Sequence, residues 1–296
     1  MEIVNVIGGL GNQMFQCAFA LALSKSKKES VVKIDTSHFN NYGLHNGFEV
    51  KRVFLDYPIP EADKSEIRAV SRYIPSYKWS RVLRRVLPSK KTEFIQPYQN
   101  SYVYQPEVFS LKGDRYYEGY WMCPAYFDQF KDDVYNAYKF KDFDTIENKN
   151  YALLLANDNS VTIHVRRGDY VGAESFKDIC TSAYYRNAIT AVKIEIENPV
   201  FFVFSNDTEW CKNNLGDIIG EEKVYFVSNN KGTESYRDMQ LMTLARCNIV
   251  ANSSFSWWGA YLNHRTDHFV LCPEKWVNNF EHNDHFVPEW KKISII

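Results

Sequence analysis

Short apolar runs alternate with longer stretches of helical spacing through the second half of the chain. Strand-like runs at residues 161–165, 200–204, 223–227, 248–251 and 268–271 are separated by helical patterns at 181–197, 208–215, 233–247 and 254–264. Strand then helix, repeated, predicts a parallel sheet covered on both faces, because parallel neighbours need a crossover and the crossovers lay helices on the sheet. The chain opens in the same way: an apolar run at 3–7 stops at Gly8 and Gly9, residues 12–25 follow with helical spacing, and a second apolar run at 31–34 ends at Asp35. Residues 56–106 are rich in Tyr and Pro without a clear period and read as mixed helix and loop. The expectation is an α/β protein with a seam within residues 128–156 and a cleft between its halves, divided as 1–145 and 146–296; a chain of 296 residues has room for two domains.

Composition narrows the partners. A formal charge of −1 speaks against a surface built to neutralise nucleic-acid phosphates, so any anion must be met locally. The N-terminal residues lack a charged segment followed by a long apolar stretch, and no apolar run reaches the length a spanning helix needs. The expectation is a cytoplasmic protein. Six scattered cysteines without metal-ligand spacing read as reduced, mostly buried thiols.

Candidate chemistry gathers where the predicted strands end, the edge at which open parallel sheets bind ligands. In Thr162-Ile163-His164-Val165-Arg166-Arg167-Gly168-Asp169-Tyr170, alternation puts His164 and Arg166 on one face of a strand and Arg167 on the other. A guanidinium at that edge forks onto two phosphate oxygens, which suits a diphosphate leaving group. Asn206 and Asp207 follow the run at 200–204, and a carboxylate there either accepts hydrogen bonds from a purine base or caps the next helix. Ser253, Ser254 and Phe255 open the helix at 254–264, where backbone NH groups and small hydroxyls favour an anion; Trp257 and Trp258 read as core. In the first half, Gly11, Asn12 and Gln13 sit in a Gly-rich turn from strand to helix.

Taken together, GGLGNQMFQCAFALAL, HVRRGDY, FSNDTEW and DMQLMTLARCNIVANSSFSWWGAYL resemble, in order and placement from Gly8 to about Leu262, the bacterial α1,2-fucosyltransferases of glycosyltransferase family 11. The resemblance implies a GT-B-like fold of two Rossmann-like domains facing a cleft, with the acceptor on the N-terminal side and GDP-fucose on the C-terminal side. It also implies inverting transfer to the 2-hydroxyl of galactose, with no cofactor and no obligatory metal. Carried over, Arg166 neutralises the β-phosphate with His164 beside it, Asn12 supplies an active-site amide, Asp207 reads guanine, and Ser253, Ser254 and Phe255 hold the phosphates and the base edge. Cys17 stands where tyrosine is expected, and Met122-Cys123 where relatives carry Gln-Ser; the second departure lies near the acceptor side and bears on which acceptor is used.

Asp169 is the candidate catalytic base, with a salt bridge to Arg167 as its competing role and Glu118 and Glu174 as other candidates. The DxD-spaced pair Asp142 and Asp144 reads as a solvated turn, and Glu281, His282, Asp284 and His285 as a surface loop without the spacing of a zinc site. Residues 67–91 carry eight basic and no acidic side chains with apolar residues interleaved at helical spacing. That pattern suits either peripheral contact with an anionic membrane, and hence a lipid-linked acceptor, or a helix packed on the first domain. Fucosyl transfer to another position or to protein, and a catalytically silent sugar-binding protein, are the competing functions.

Overall fold

A computed structural model describes residues 1–41, 45–74, 79, 82, 86, 88–280 and 284–296, with the Asp169 side chain outside the described atoms. Packing divides the chain into two units, Met1–Lys141 with His282–Phe286, and Asp142–Glu281 with Val287–Ile296. The division precedes by a few residues the 145/146 boundary read from the sequence, and a short stretch of the tail returns to the first unit.

In unit 1, strands β1 (Glu2–Asn5), β2 (Val32–Asp35), β3 (Glu93–Ile95) and β4 (Arg115–Glu118) form a sheet of order β2-β1-β4-β3, each ladder parallel. Helices α1 (Leu10–Ser26), α2 (Val50–Val53), α3 (Lys64–Val70) and α4 (Lys131–Ala137) accompany them. Leu10 to Leu23 of α1 are almost all buried, and its Phe19 ring stacks on Trp121 at 4.2 Å with edge contacts to Tyr117 and Tyr126. Two buried carboxylates of the sheet are paired: Tyr116 Oη donates to Asp35 Oδ2 (2.7 Å), while Tyr117 Oη and Lys27 Nζ both donate to Glu2 Oε2 (2.9 Å each). That pairing offsets the cost of burying the carboxylates.

Unit 2 holds α5 (Ile146–Leu155), β5 (Ser160–Val165), α6 (Ser182–Glu195), β6 (Val200–Ser205), α7 (Thr208–Ile219), β7 (Val224–Val227), α8 (Tyr236–Met242), β8 (Cys247–Ile249), α9 (Ser254–Tyr261), β9 (Phe269–Pro273) and β10 (Lys291–Ile293). The six strands run in the order β10-β9-β8-β5-β6-β7, and each ladder is parallel. Alternation along β6 feeds both faces. Phe201 and Val203 join the cluster of Val161, Ile163, Tyr184 and Tyr185, whereas Phe202 and Phe204 join Val227, Leu241 and Met242.

The strand orders locate the switch points. In unit 2 the chain runs outward from β5 through β6 and β7, then crosses to the other side of β5 with β8, so the loops after β5 and β8 diverge from adjacent strands. In unit 1 the same relation holds between β1 and β4. Such points open a crevice beyond the carboxyl ends of the strands.

Candidate active site

At the β5–β8 switch point of unit 2, His164 is the last but one residue of β5 and is buried. Tyr185 Oη donates to its carbonyl oxygen (3.0 Å), its ring centroid lies 5.8 Å from that of Phe255, and Nδ1 has no partner among the described residues. Burial first, and the Arg166 charge second, push the imidazole down to about 3, so it is neutral at ordinary pH. Arg166 is half-buried, with its guanidinium 5.5 Å from the centroid of Tyr170, which in turn stacks on Phe176 at 4.7 Å.

The strand ends at Val165, short of the Gly168 end read from the sequence, so Arg166 and Arg167 lie in the loop and strand alternation does not set their directions. Arg167 Nε meets Asp207 Oδ2 at 3.3 Å, its guanidinium lies 4.3 Å from the Trp210 ring centroid, and its backbone N donates to Asn206 Oδ1 (3.0 Å). Asp207 Oδ1 accepts from Trp210 N (3.1 Å), which caps α7. Asn206 and Asp207 therefore tie down the loop after β5, and the Asp207 side chain, 40% exposed, remains at the surface of that loop. Arg167 forms an ion pair with Asp207; the salt bridge weighed between Arg167 and Asp169 involves a side chain outside the described atoms, and the Asp169 backbone lies in the 3-10 turn Gly168–Tyr170. Gly168 is required here: at φ +39° a Cβ would come within 2.5 Å of Asn206 Nδ2.

From the β8 side, Ser253 caps α9 by accepting from Phe255 N (3.4 Å), and Ser254 and Phe255 are half-buried at the first turn. Asn252 braces this loop, its Nδ2 donating to the carbonyls of Phe176 (3.3 Å) and Trp276 (3.1 Å). Trp257 and Trp258 are buried, as expected for core, with Trp257 stacked on Tyr261 at 4.6 Å. His164, Arg166 and the first turn of α9 thus bring a neutral imidazole, a guanidinium and a helix N-terminus to one sheet edge, an arrangement suited to an anion.

Sequence reasoning missed a carboxylate in this unit. Asp238, on α8, accepts from Asn230 Nδ2 (2.8 Å), and Asn230 belongs to an amide cluster with Asn148 and Asn229 just past the carboxyl end of β7. Desolvation pushes the Asp238 carboxyl up to about 7 despite that hydrogen bond. No spacing signals this group, because its environment comes from three separate elements. Asp144 pairs with Arg237 (3.4 Å), whose Nη1 also bonds the Asp142 carbonyl (3.0 Å). Glu174 is exposed and pairs with Lys177 (2.8 Å). Among the described residues no cluster of three or more His, Cys, Asp or Glu is placed to hold a metal ion. Of the tail cluster, Glu281 and His282 lie outside the described residues, while Asp284 Oδ2 accepts from Tyr104 N (2.9 Å). Burial pushes all six thiols up, so none is poised as a nucleophile.

At the β1–β4 switch point of unit 1, Gly8 holds φ +93° against the Asn12 side chain, and Gly11 and Asn12 begin α1. Gln13 is fully buried and spent on the backbone: Nε2 donates to the carbonyls of Gly8 and Gly47 (2.8 Å each), and Oε1 accepts from Glu49 N (2.8 Å). It positions the turn, and Asn12 beside it is half-buried. Gln16, unremarked in the sequence, links the two switch strands by accepting from Ile7 N (2.9 Å) and donating to the Gly119 carbonyl (3.0 Å).

Two doubly wound units with polar loops at their switch points mark an α/β enzyme of GT-B-like architecture. The model of glycosyl transferase family 11 matches residues 96–294; the chain belongs to that family and is a glycosyltransferase. An alpha-1,2-colitosyltransferase of Escherichia coli is 32% identical over 298 residues, covering 98% of both chains. Galactoside alpha-(1,2)-fucosyltransferase 1 of Homo sapiens is 33% identical over 141 residues, 45% of this chain and 38% of that one. Among solved structures, the Bradyrhizobium fucosyltransferase NodZ shares the fold at a TM-score of 0.50 and 14% identity, covering 87% of this chain and 90% of that one.

Proposed function

We propose that this glycosyltransferase moves L-fucose from GDP-fucose to the 2-hydroxyl of a galactose residue, with inversion and without an obligatory metal. The observation that carries the reading is the meeting of Arg166, the neutral His164 and the first turn of α9 at the β5–β8 switch point. The acceptor oxygen bonds to the anomeric carbon from the face opposite the diphosphate. The bond from that carbon to the β-phosphate oxygen breaks, and its electron pair stays on the phosphate. Arg166 places positive charge where this negative charge grows. A neutral His164 beside it holds the base or phosphate edge without competing for the charge, and Ser253, Ser254 and Phe255 hold the remaining phosphate oxygens and base edge. Asn206, Asp207 and Gly168 position the loop. The hydroxyl proton passes to a carboxylate, for which Asp169 is the candidate by its place in the loop after β5, with Glu118 the alternative on unit 1.

The names of the relatives support α1,2 transfer with either of two sugars, and identity over nearly the whole chain to a colitosyltransferase makes GDP-colitose the second donor to test. The test is product analysis after incubation with GDP-fucose or GDP-colitose and lactose in EDTA. A 2-linked fucosyl product is expected, and Arg166→Ala should lower kcat by about a hundred- to a thousandfold. Transfer of colitose alone would replace the donor, a product linked elsewhere would replace the acceptor position, and activity lost in EDTA but restored by a divalent cation would remove metal independence.

The acceptor is further proposed to be lipid-linked and reached from an anionic membrane face through residues 67–91. Residues 75–78, 80, 81, 83–85 and 87 of that segment lie outside the described residues, but Trp79, Val82 and Val86, at helical spacing, are 62%, 51% and 75% exposed. Flotation with anionic liposomes that does not depend on the basic residues of this segment would remove this part. Among the described residues no helix is long and apolar enough to cross a membrane.

A further inference from the structure

The loops that leave β3 and β4 of unit 1 contain a strained residue with no role in the chemistry above. Trp121 is fully buried yet sits at φ +54°, in the left-handed region that a bulky side chain rarely adopts. Its neighbours force the conformation. Gln96 Oε1 accepts from both Tyr120 N (3.1 Å) and Trp121 N (3.2 Å), Gln16 Nε2 holds the Gly119 carbonyl, and Met122 N donates to the Ser101 carbonyl (2.9 Å). At Gly119 a Cβ would come within 2.7 Å of Gln96, so the two loops touch backbone to side chain with no room for another residue type.

The kink turns the Trp121 indole inward onto Phe19 and leaves Tyr120 outward, half-buried, with its ring 6.2 Å from that of Tyr98 in an edge-to-face arrangement at 74°. Tyr98 is 47% exposed. Two large rings are thus presented to solvent at the carboxyl edge of the sheet, beside its switch point, by a backbone held in an unfavourable conformation. Strain of this kind collects where a fold fixes a group for binding. The face of an aromatic ring carries partial negative charge and accepts the weakly positive C–H face of a pyranose.

We infer that the Tyr98–Tyr120 pair is an acceptor subsite that stacks on the apolar face of a pyranose ring. The inference deepens the proposed function and rests on its galactoside acceptor for the identity of the sugar, though not for the stacking. It is tested by acceptor and donor kinetics of Tyr120→Ala, Tyr98→Ala and Tyr120→Phe, with GDP affinity and thermal unfolding measured alongside. Expected is a rise of about tenfold in the acceptor KM for each alanine variant, with GDP affinity unchanged and KM largely restored in Tyr120→Phe. An unchanged acceptor KM in both alanine variants overturns the inference, as does a rise matched by loss of GDP affinity. If wild type transfers to no galactoside while still binding GDP, the galactoside reading fails separately. Saturation-transfer NMR with a panel of pyranosides then decides the subsite: binding lost in Tyr120→Ala supports it, and binding indifferent to the substitution overturns it.

Discussion

His164, near the end of β5, and Arg166, just beyond it, show how one sheet edge sets two electrostatic states. The imidazole is desolvated beside a fixed positive charge, so its proton affinity falls far below the ordinary histidine value near 6.5. The sign for stability follows. On acidification the unfolded imidazole takes up a proton through about pH 6.5, whereas the folded one does so only near pH 3, so the contribution is complete above about pH 6.5 and is lost as pH falls toward 3. His164→Gln should therefore lose less stability than wild type between pH 7.5 and 5 in urea unfolding, and GDP affinity of the wild type should show no imidazole titration in that range. An inflection near pH 6.5 that vanishes in His164→Gln would contradict this environment. The motif HVRRGDY was legible as the end of a strand, although β5 stops at Val165 and leaves both arginines in the following loop. The partners of Arg167 were not, because Asp207 offers both a cap and a base contact on paper, and the contacts with Arg167 and Trp210 N depend on the folded loop.

At the scale of elements, the strands with a continuous apolar run were readable even when short, and β3, β4 and β10 were not. Their sequences EFI, RYYE and KKI offer no such run, and Tyr116 and Tyr117 of β4 bury polar tips on Asp35 and Glu2 that no pattern announces. Residues 233–247 read as one helix, yet α8 stops at Met242. Asn248 reaches back with Nδ2 to take the Met242 carbonyl (2.9 Å), satisfying a helix end with a side chain from the following strand. The turn after β5 supplies an element-scale prediction. Gly168→Ala brings a methyl group against Asn206 and strains a positive φ, which should cost about 1–3 kcal/mol of stability and weaken GDP binding. In an Asn206→Ala background the clash is gone and only the backbone strain remains, so the second cost should be smaller than the first. Strictly additive losses in chemical unfolding would mean that Asn206 does not constrain the turn.

For the molecule as a whole, the alternation of strands and helices conveyed two α/β halves, and the strand orders now explain why the sequence motifs fall where they do. HVRRGDY and NSSFSWW leave β5 and β8, neighbours in the sheet that the chain visits far apart, while GGLGNQ and GYWMC leave β1 and β4 in the same relation. Spacing along the chain could not reveal those adjacencies, which depend on crossovers, and it missed Gln16, Gln96 and Asp238 for the same reason: each acts between segments. The central claim is that the switch point of the second sheet holds the diphosphate of a nucleotide sugar through Arg166. Its most direct measurement is calorimetric titration of GDP into wild type, Arg166→Ala and Tyr120→Ala in EDTA. The account predicts binding by wild type and Tyr120→Ala alike, and a loss of about ten- to a hundredfold in affinity for Arg166→Ala. Binding of GDP by Arg166→Ala as tight as by wild type would contradict it.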